Sequence, residues 1–146
     1  MTNQILFVDD DRNALEGYKR LLRDVFDIET ATSGSQGLAM VQVLGPFAVV
    51  VSDMRMAGMN GAEFLAHLRE LAPQTVRMVL TGHKDLGRAI EAVNDGQIFR
   101  YLNKPCGKEA LVNAIRLGLA KNRSNIESDQ LIKEARQRRL QGALGD

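Results

Sequence analysis

The stretch Phe47-Ala48-Val49-Val50-Val51-Ser52-Asp53 is a run of consecutive apolar residues that stops at a hydroxyl and a carboxylate. A strand with one solvated face alternates apolar and polar residues, whereas a strand covered on both faces is apolar throughout. The run Phe47–Val51 therefore predicts a strand inside a parallel sheet, with helices packed above and below it. Ile5–Val8 (ILFV) and Val76–Leu80 (VRMVL) have the same character, and Phe26–Thr30 and Ile98–Leu102 are two further short apolar runs.

Between these runs the apolar spacing changes to that of helices. In Ala14–Val25, the residues Ala14, Leu15, Tyr18, Leu21, Leu22 and Val25 recur at i, i+3, i+4 and i+7. Leu38, Met40, Val41 and Leu44 form a second stripe. Phe64, Leu65, Leu68 and Leu71 form a third that ends before Pro73. Leu86, Ala89, Ile90 and Val93 form a fourth, stopped by Asn94-Asp95-Gly96, and Leu111, Ile115, Leu117 and Leu119 a fifth that opens after Pro105 and Gly107. Repeated strand–helix alternation with short connections predicts an α/β domain with a parallel sheet, and right-handed crossovers place its helices on both faces.

The alternation stops near Asn122. Ser124–Leu140 is rich in charge, with Lys133, Arg136, Arg138 and Arg139 against Glu127, Asp129 and Glu134, and its apolar residues make only a thin stripe. The expected division is a domain over residues 1–122 and a helical extension or linker over 123–146, frayed at Gly142–Asp146.

Composition narrows the function classes. The chain has 146 residues, 45% hydrophobic and 25% charged, which suits one globular domain with a modest extension. No apolar run approaches the roughly 18 residues of a membrane span, and the start of the chain lacks the features of a signal peptide. Cys106 is the single cysteine, so no intramolecular disulfide forms. A net charge of +1 argues neither for nucleic acid nor for a membrane surface. The expectation is a cytoplasmic protein.

In parallel α/β sheets, ligand sites form beyond the carboxyl ends of the strands. The first predicted strand ends in Asp9-Asp10-Asp11, the third in Ser52-Asp53 and the fourth in Thr81-Gly82, while Asn103-Lys104-Pro105 follows the fifth. Segments distant in sequence thus bring carboxylates, a hydroxyl and an amine to one edge. Crowded carboxylates repel, and a hard divalent cation relieves that repulsion. Mg²⁺ takes oxygen ligands from a few carboxylates and keeps several waters. A carboxylate is a competent nucleophile towards phosphorus, and phosphoryl transfer depends mainly on in-line positioning and charge neutralisation by a metal and a cation such as lysine. Read from the residues alone, Asp11 is a helix N-cap. Met54, Met56 and Met59 are loop packing, His67 is a surface residue and Cys106 a small packing residue.

The motifs ILFVDDD, VVVSDMRMAGMNG, MVLTGHKD and FRYLNKP, in that order over roughly residues 3–122, resemble the receiver domains of two-component response regulators. That resemblance implies a flavodoxin-like, doubly wound five-stranded parallel sheet of order 2-1-3-4-5 with five helices. It implies Asp53 as phosphoacceptor, Lys104 as its cationic partner before a cis Lys104–Pro105 bond, and Thr81 and Tyr101 as switch residues. It further implies Mg²⁺ bound by Asp9, Asp10, Asp53 and the Arg55 backbone carbonyl. A histidine kinase or phosphotransfer protein would supply the phosphoryl group, and a downstream effector domain or protein would read the surface of the fourth helix, fifth strand and fifth helix. Catalysis would be limited to the chain's own phosphorylation and dephosphorylation. One departure stands out: where the family usually has proline four residues after the acceptor, this chain has Ala57, which leaves loop order and phosphoryl lifetime open.

Two other readings use the same residues. A haloacid-dehalogenase-type phosphatase also forms an aspartyl phosphate, but needs Asp-x-Asp-x-Thr/Val, and Asp9-Asp10-Asp11-Arg12-Asn13 lacks the final Thr or Val. A flavin-binding flavodoxin needs a Ser/Thr/Gly-rich loop after the first strand, and none is present. Output is less constrained. The run Asp95–Tyr101 is similar to receivers that precede HD-GYP phosphodiesterases, while a stand-alone receiver is equally compatible. Homodimerisation through the switch face or a terminal coiled coil is compatible with the sequence, although Ser124–Leu140 lacks a clean heptad. No direct nucleic-acid or membrane contact is expected.

Overall fold

The computed structural model describes residues 4–145. Along the chain run β1 (Ile5–Val8), α1 (Arg12–Leu22), β2 (Ile28–Ala31), α2 (Gly34–Leu44), β3 (Val49–Asp53), α3 (Gly61–Leu71), β4 (Val76–Thr81), α4 (Leu86–Asn94), β5 (Arg100–Asn103) and α5 (Lys108–Leu144). A single 3₁₀ turn, His83–Asp85, joins β4 to α4. The five strands are parallel in the order β2-β1-β3-β4-β5, the flavodoxin-like arrangement expected.

Strand alternation sorts the core into two layers. Ile5, Phe7, Val49, Val51, Met78 and Leu80 face Leu15 and Leu22 of α1 and Leu111 and Ile115 of α5. Leu6, Val8, Val50 and Val79 face Val41 of α2, Phe64, Leu65 and Leu68 of α3, and Ala89 of α4. Removing such a side chain from water contributes roughly 1.5–3 kcal/mol, which is why β1 and β3 are apolar up to their carboxyl ends, while Arg77 in β4 is only half-buried and donates to the Gln97 and Thr75 carbonyls. β5 differs. Like β2 it is an edge strand, but its residues range from half-buried to exposed, whereas both ends of β2 are buried.

Local signals place the helices. Asp11 caps α1, its Oδ1 accepting from the N–H of Asn13 at 2.9 Å and of Ala14 at 3.4 Å, as expected. Asn60 and Glu63 form a reciprocal capping box at the start of α3. Several strand boundaries differ from those the apolar runs predict. β2 begins at Ile28 rather than Phe26, because the Phe26 N–H still bonds the Leu22 carbonyl in the turn that ends α1. β5 begins at Arg100 rather than Ile98, because the N–H groups of Gln97 and Ile98 are both taken by the Ala92 carbonyl of α4. β3 extends to Asp53, since Ser52 and Asp53 pair with Val79 and Leu80 despite being polar. Apolarity reports burial, and the ladder runs on regardless of it.

α5 is continuous for 37 residues and passes Asn122 without a break. It is helical through Leu144, so the fraying expected from Gly142 is absent up to that residue; Asp146 lies outside the described residues. The loop before β4 ties down its middle. The Gln74 carbonyl accepts from the side-chain amides of Asn122 (2.9 Å) and Asn125 (3.2 Å), and the Gln74 amide donates to Asp129 at 2.9 Å. Beyond that point Leu131, Ile132, Leu140 and Leu144 are exposed.

Tyr18 of α1 stacks on Phe7 of β1, with centroids 4.9 Å apart. Burial, reinforced by the charge of Asp9, pushes its phenol up to about 12. The folded chain therefore keeps this proton after the unfolded chain has lost it, and stability falls as pH rises from about 10 towards 12. Spectrophotometric titration is expected to show a late tyrosine step that Tyr18→Phe removes; ionisation of Tyr18 near 10 would contradict the packing described.

Candidate functional site

The order β2-β1-β3 means that the chain leaves β1 towards one side of the sheet and β3 towards the other. The carboxyl ends of β1 and β3 thus flank the crevice where α/β folds bind ligands. Asp9 follows β1 there and Asp53 ends β3, both buried, with exposed Asp10 beside them. Each offers one carboxylate oxygen, and the three atoms lie within 4.8 Å of one another.

Among the described residues each carboxylate has one N–H or ammonium partner. The Asp11 N–H donates to Asp9 Oδ1 at 2.9 Å, the Ala57 N–H donates to Asp10 Oδ2 at 2.9 Å, and Lys104 Nζ lies 2.5 Å from Asp53 Oδ1. The remaining oxygens face a cluster too negative to be comfortable. Burial pushes the Asp9 carboxyl above the usual carboxylate range, opposed by the Asp11 N–H and reinforced by the charge of Asp53. A hard cation with oxygen preference fits such a donor set.

β4 and β5 bring the other expected residues to the same edge. Thr81 is fully buried, and its hydroxyl donates to the Gly82 carbonyl at 3.1 Å. Tyr101 pairs in register with Val79, and Thr81 with Asn103, so Tyr101 and Thr81 lie on the same face of the sheet two positions apart. Tyr101 is half-buried against the cluster that includes Ala89 of α4. The Lys104–Pro105 peptide is cis.

A cavity of about 320 Å³ opens beside Asp53 and Lys104, walled by Met54, Arg55, Gly82, His83, Lys84 and Asp85. Two of these residues bridge it. Arg55 Nε and Nη2 reach the two carboxylate oxygens of Asp85 at 3.1 and 3.2 Å. The pairing holds Asp85 below the usual carboxylate range and Arg55 above its own. So the Arg55 side chain points to the β4–α4 connection. The sequence does not predict this pairing, because Asp85, thirty positions away, carries no signal of its own. Met54 and Met56 are buried packing, His67 is exposed, and burial pushes the Cys106 thiol up, away from reactive thiolate.

The family model for the response regulator receiver domain matches residues 5–116. The chain belongs to the response regulator receiver family. Receivers are signalling domains of two-component systems, and many of the curated relatives are named transcriptional regulators. HoxA, a hydrogenase transcriptional regulatory protein of Cupriavidus necator, is 33% identical over 112 residues, covering 77% of this chain and 23% of that protein. DctD, a C4-dicarboxylate transport regulator of Pseudomonas aeruginosa, is 32% identical over 143 residues, covering 97% of this chain and 30% of that protein. This receiver thus spans less than a third of either relative. Among solved structures, one described as adenylate cyclase from Rhodopirellula baltica superposes with a TM-score of 0.88 at 41% identity, covering 91% of this chain and 98% of that one. A response regulator receiver domain protein from Clostridium thermocellum gives 0.77 at 33%, covering 82% and 96%. Among the described residues no helix is long and apolar enough to cross a membrane.

Proposed function

We propose that this receiver accepts a phosphoryl group on Asp53 from the phosphohistidine of a histidine kinase or phosphotransfer protein, in a Mg²⁺-dependent reaction. The observation that carries the proposal is the Lys104–Asp53 contact at 2.5 Å, set against a cluster of carboxylates on the crevice between β1 and β3. An Asp53 oxygen attacks phosphorus, the P–N bond to the donor imidazole breaks, and the imidazole leaves with the bonding pair. The product is an acyl phosphate, and later attack by water on phosphorus returns the carboxylate.

Asp9, Asp10, Asp53 and the Arg55 carbonyl would hold Mg²⁺. When bound, the ion neutralises phosphoryl charge that the carboxylates would otherwise repel. Lys104, released from Asp53, pairs with a phosphoryl oxygen. Thr81 exchanges its bond to the Gly82 carbonyl for one to the phosphoryl group, and Tyr101 turns into the space this opens. The α4–β5–α5 surface then changes. β5 is the half-exposed edge of the sheet, so its rearrangement leaves the two-layer core intact.

Residues 1–122 would form the receiver proper and 123–146 a helical connection to an effector domain or protein. Output would pass by protein contact in the cytoplasm rather than by direct binding of nucleic acid.

Incubation with acetyl phosphate or with beryllofluoride tests the chemistry. The expected result is one acyl phosphate or one adduct per chain with Mg²⁺, and none in excess chelator. Modification that is indifferent to the chelator, or that maps to a residue other than Asp53, would overturn the proposal.

A further inference from the structure

Ala57, a departure in the sequence, becomes a contact in the structure. Asp10 is the exposed member of the carboxylate cluster, so holding its side chain in one rotamer costs the most entropy. Among the described residues one donor reaches it, the Ala57 N–H, at 2.9 Å and across 47 positions of sequence. Gly58 follows with φ of +74°, the left-handed turn that carries the loop on past this contact.

We propose that the Ala57 backbone N–H is a positioning donor for the divalent-cation site. It fixes the Asp10 carboxylate through one oxygen and leaves the other for the ion. Partners one step removed from a metal act in this way, orienting the ligand and lowering the cost of ordering it. Proline at this position has no N–H to give, so the residue type at 57 sets cation affinity through its backbone. The inference rests on the reading of Asp9, Asp10 and Asp53 as the Mg²⁺ site.

Calorimetric titration of Mg²⁺ into the unphosphorylated chain tests it, with Ala57→Pro and Ala57→Gly beside the wild type. Partners that orient a metal ligand typically matter by roughly ten- to a hundredfold in metal affinity. Ala57→Pro is expected to weaken binding by that much, while Ala57→Gly, which keeps the N–H, stays within about threefold. Binding by Ala57→Pro as tight as wild type overturns the inference, as does an equal loss in Ala57→Gly, which would implicate loop conformation instead. A wild-type chain that takes up no Mg²⁺ would sink the proposed function itself, a distinguishable failure.

Amide hydrogen exchange gives a readout that does not depend on the proline variant folding. In the metal-free wild type the Ala57 amide is expected to exchange more slowly than in Asp10→Ala. Equal rates in the two proteins would overturn the inference.

Discussion

Asp53→Asn is expected to abolish phosphoryl labelling by acetyl phosphate, a fall on the order of a thousandfold or more, to background. The amide is nearly the same size as the carboxylate, so Asp53, buried at the end of β3, can be replaced without a cavity. What is lost is chemical. An amide oxygen is a poor nucleophile towards phosphorus, and one of the clustered carboxylates is gone, so Mg²⁺ affinity should fall in the same variant. Mass spectrometry after acetyl phosphate treatment reads the first effect and calorimetry the second. Labelling retained in Asp53→Asn would mean that the acceptor lies elsewhere. Circular dichroism of the same sample checks that the fold has survived.

The second large effect is structural and acts through the same strand. Gly61 opens α3, and a Cβ built there would lie 2.3 Å from the Asp53 carbonyl oxygen and 2.8 Å from the Met54 Cα. Both neighbours are backbone, so neither can step aside as the tip of a flexible side chain would. The Gly61 N–H also bonds the Met54 carbonyl at 2.9 Å, which fixes how closely α3 approaches β3. Gly61→Ala is therefore expected to destabilise the chain by about 1–3 kcal/mol, the usual cost of forcing extra atoms into a packed site. It should also slow phosphorylation by shifting Asp53. Gly17→Ala provides the opposite control. Gly17 lies in α1, and a Cβ added there would meet nothing within 4 Å, so alanine should stabilise by about 0.5–1 kcal/mol. Denaturant midpoints for the pair decide the matter: a Gly61→Ala chain stabilised as Gly17→Ala is would show that helix propensity, not the close approach, governs position 61.

Much of the site was legible because its residues stand where the hydrophobic pattern stops. Asp9, Asp53 and Thr81 each end or follow a run that must be apolar to be buried on both faces, and a polar residue at such a boundary has left the core for the sheet's edge. Lys104 was marked by the proline after it, and Asp11 by its place before the first helical stripe. Contacts made by groups without a pattern were not legible. The Arg55–Asp85 ion pair joins the loop after β3 to the turn before α4, and neither stretch has a pattern that pairs it with the other. The Ala57 N–H belongs to the backbone, which every residue but proline carries alike. Gln74, Asn122 and Asn125 read as ordinary polar surface until the long helix is seen to pass beside the loop before β4.

By itself, the sequence determined the alternation of buried strands and amphipathic helices, and hence a parallel sheet with its polar residues gathered at one edge. The reason is local: burial on two faces demands continuous apolar runs, and burial on one helical face demands stripes. Only the tertiary structure decided which oxygens and nitrogens meet there. Distances such as Lys104 to Asp53 or Ala57 to Asp10 depend on how far each crossover carries the chain, and the packing of whole layers sets that. The same holds for the hydrogen bonds by which Gln74 holds the middle of α5, although the helical course past Asn122 is what the sequence predicts.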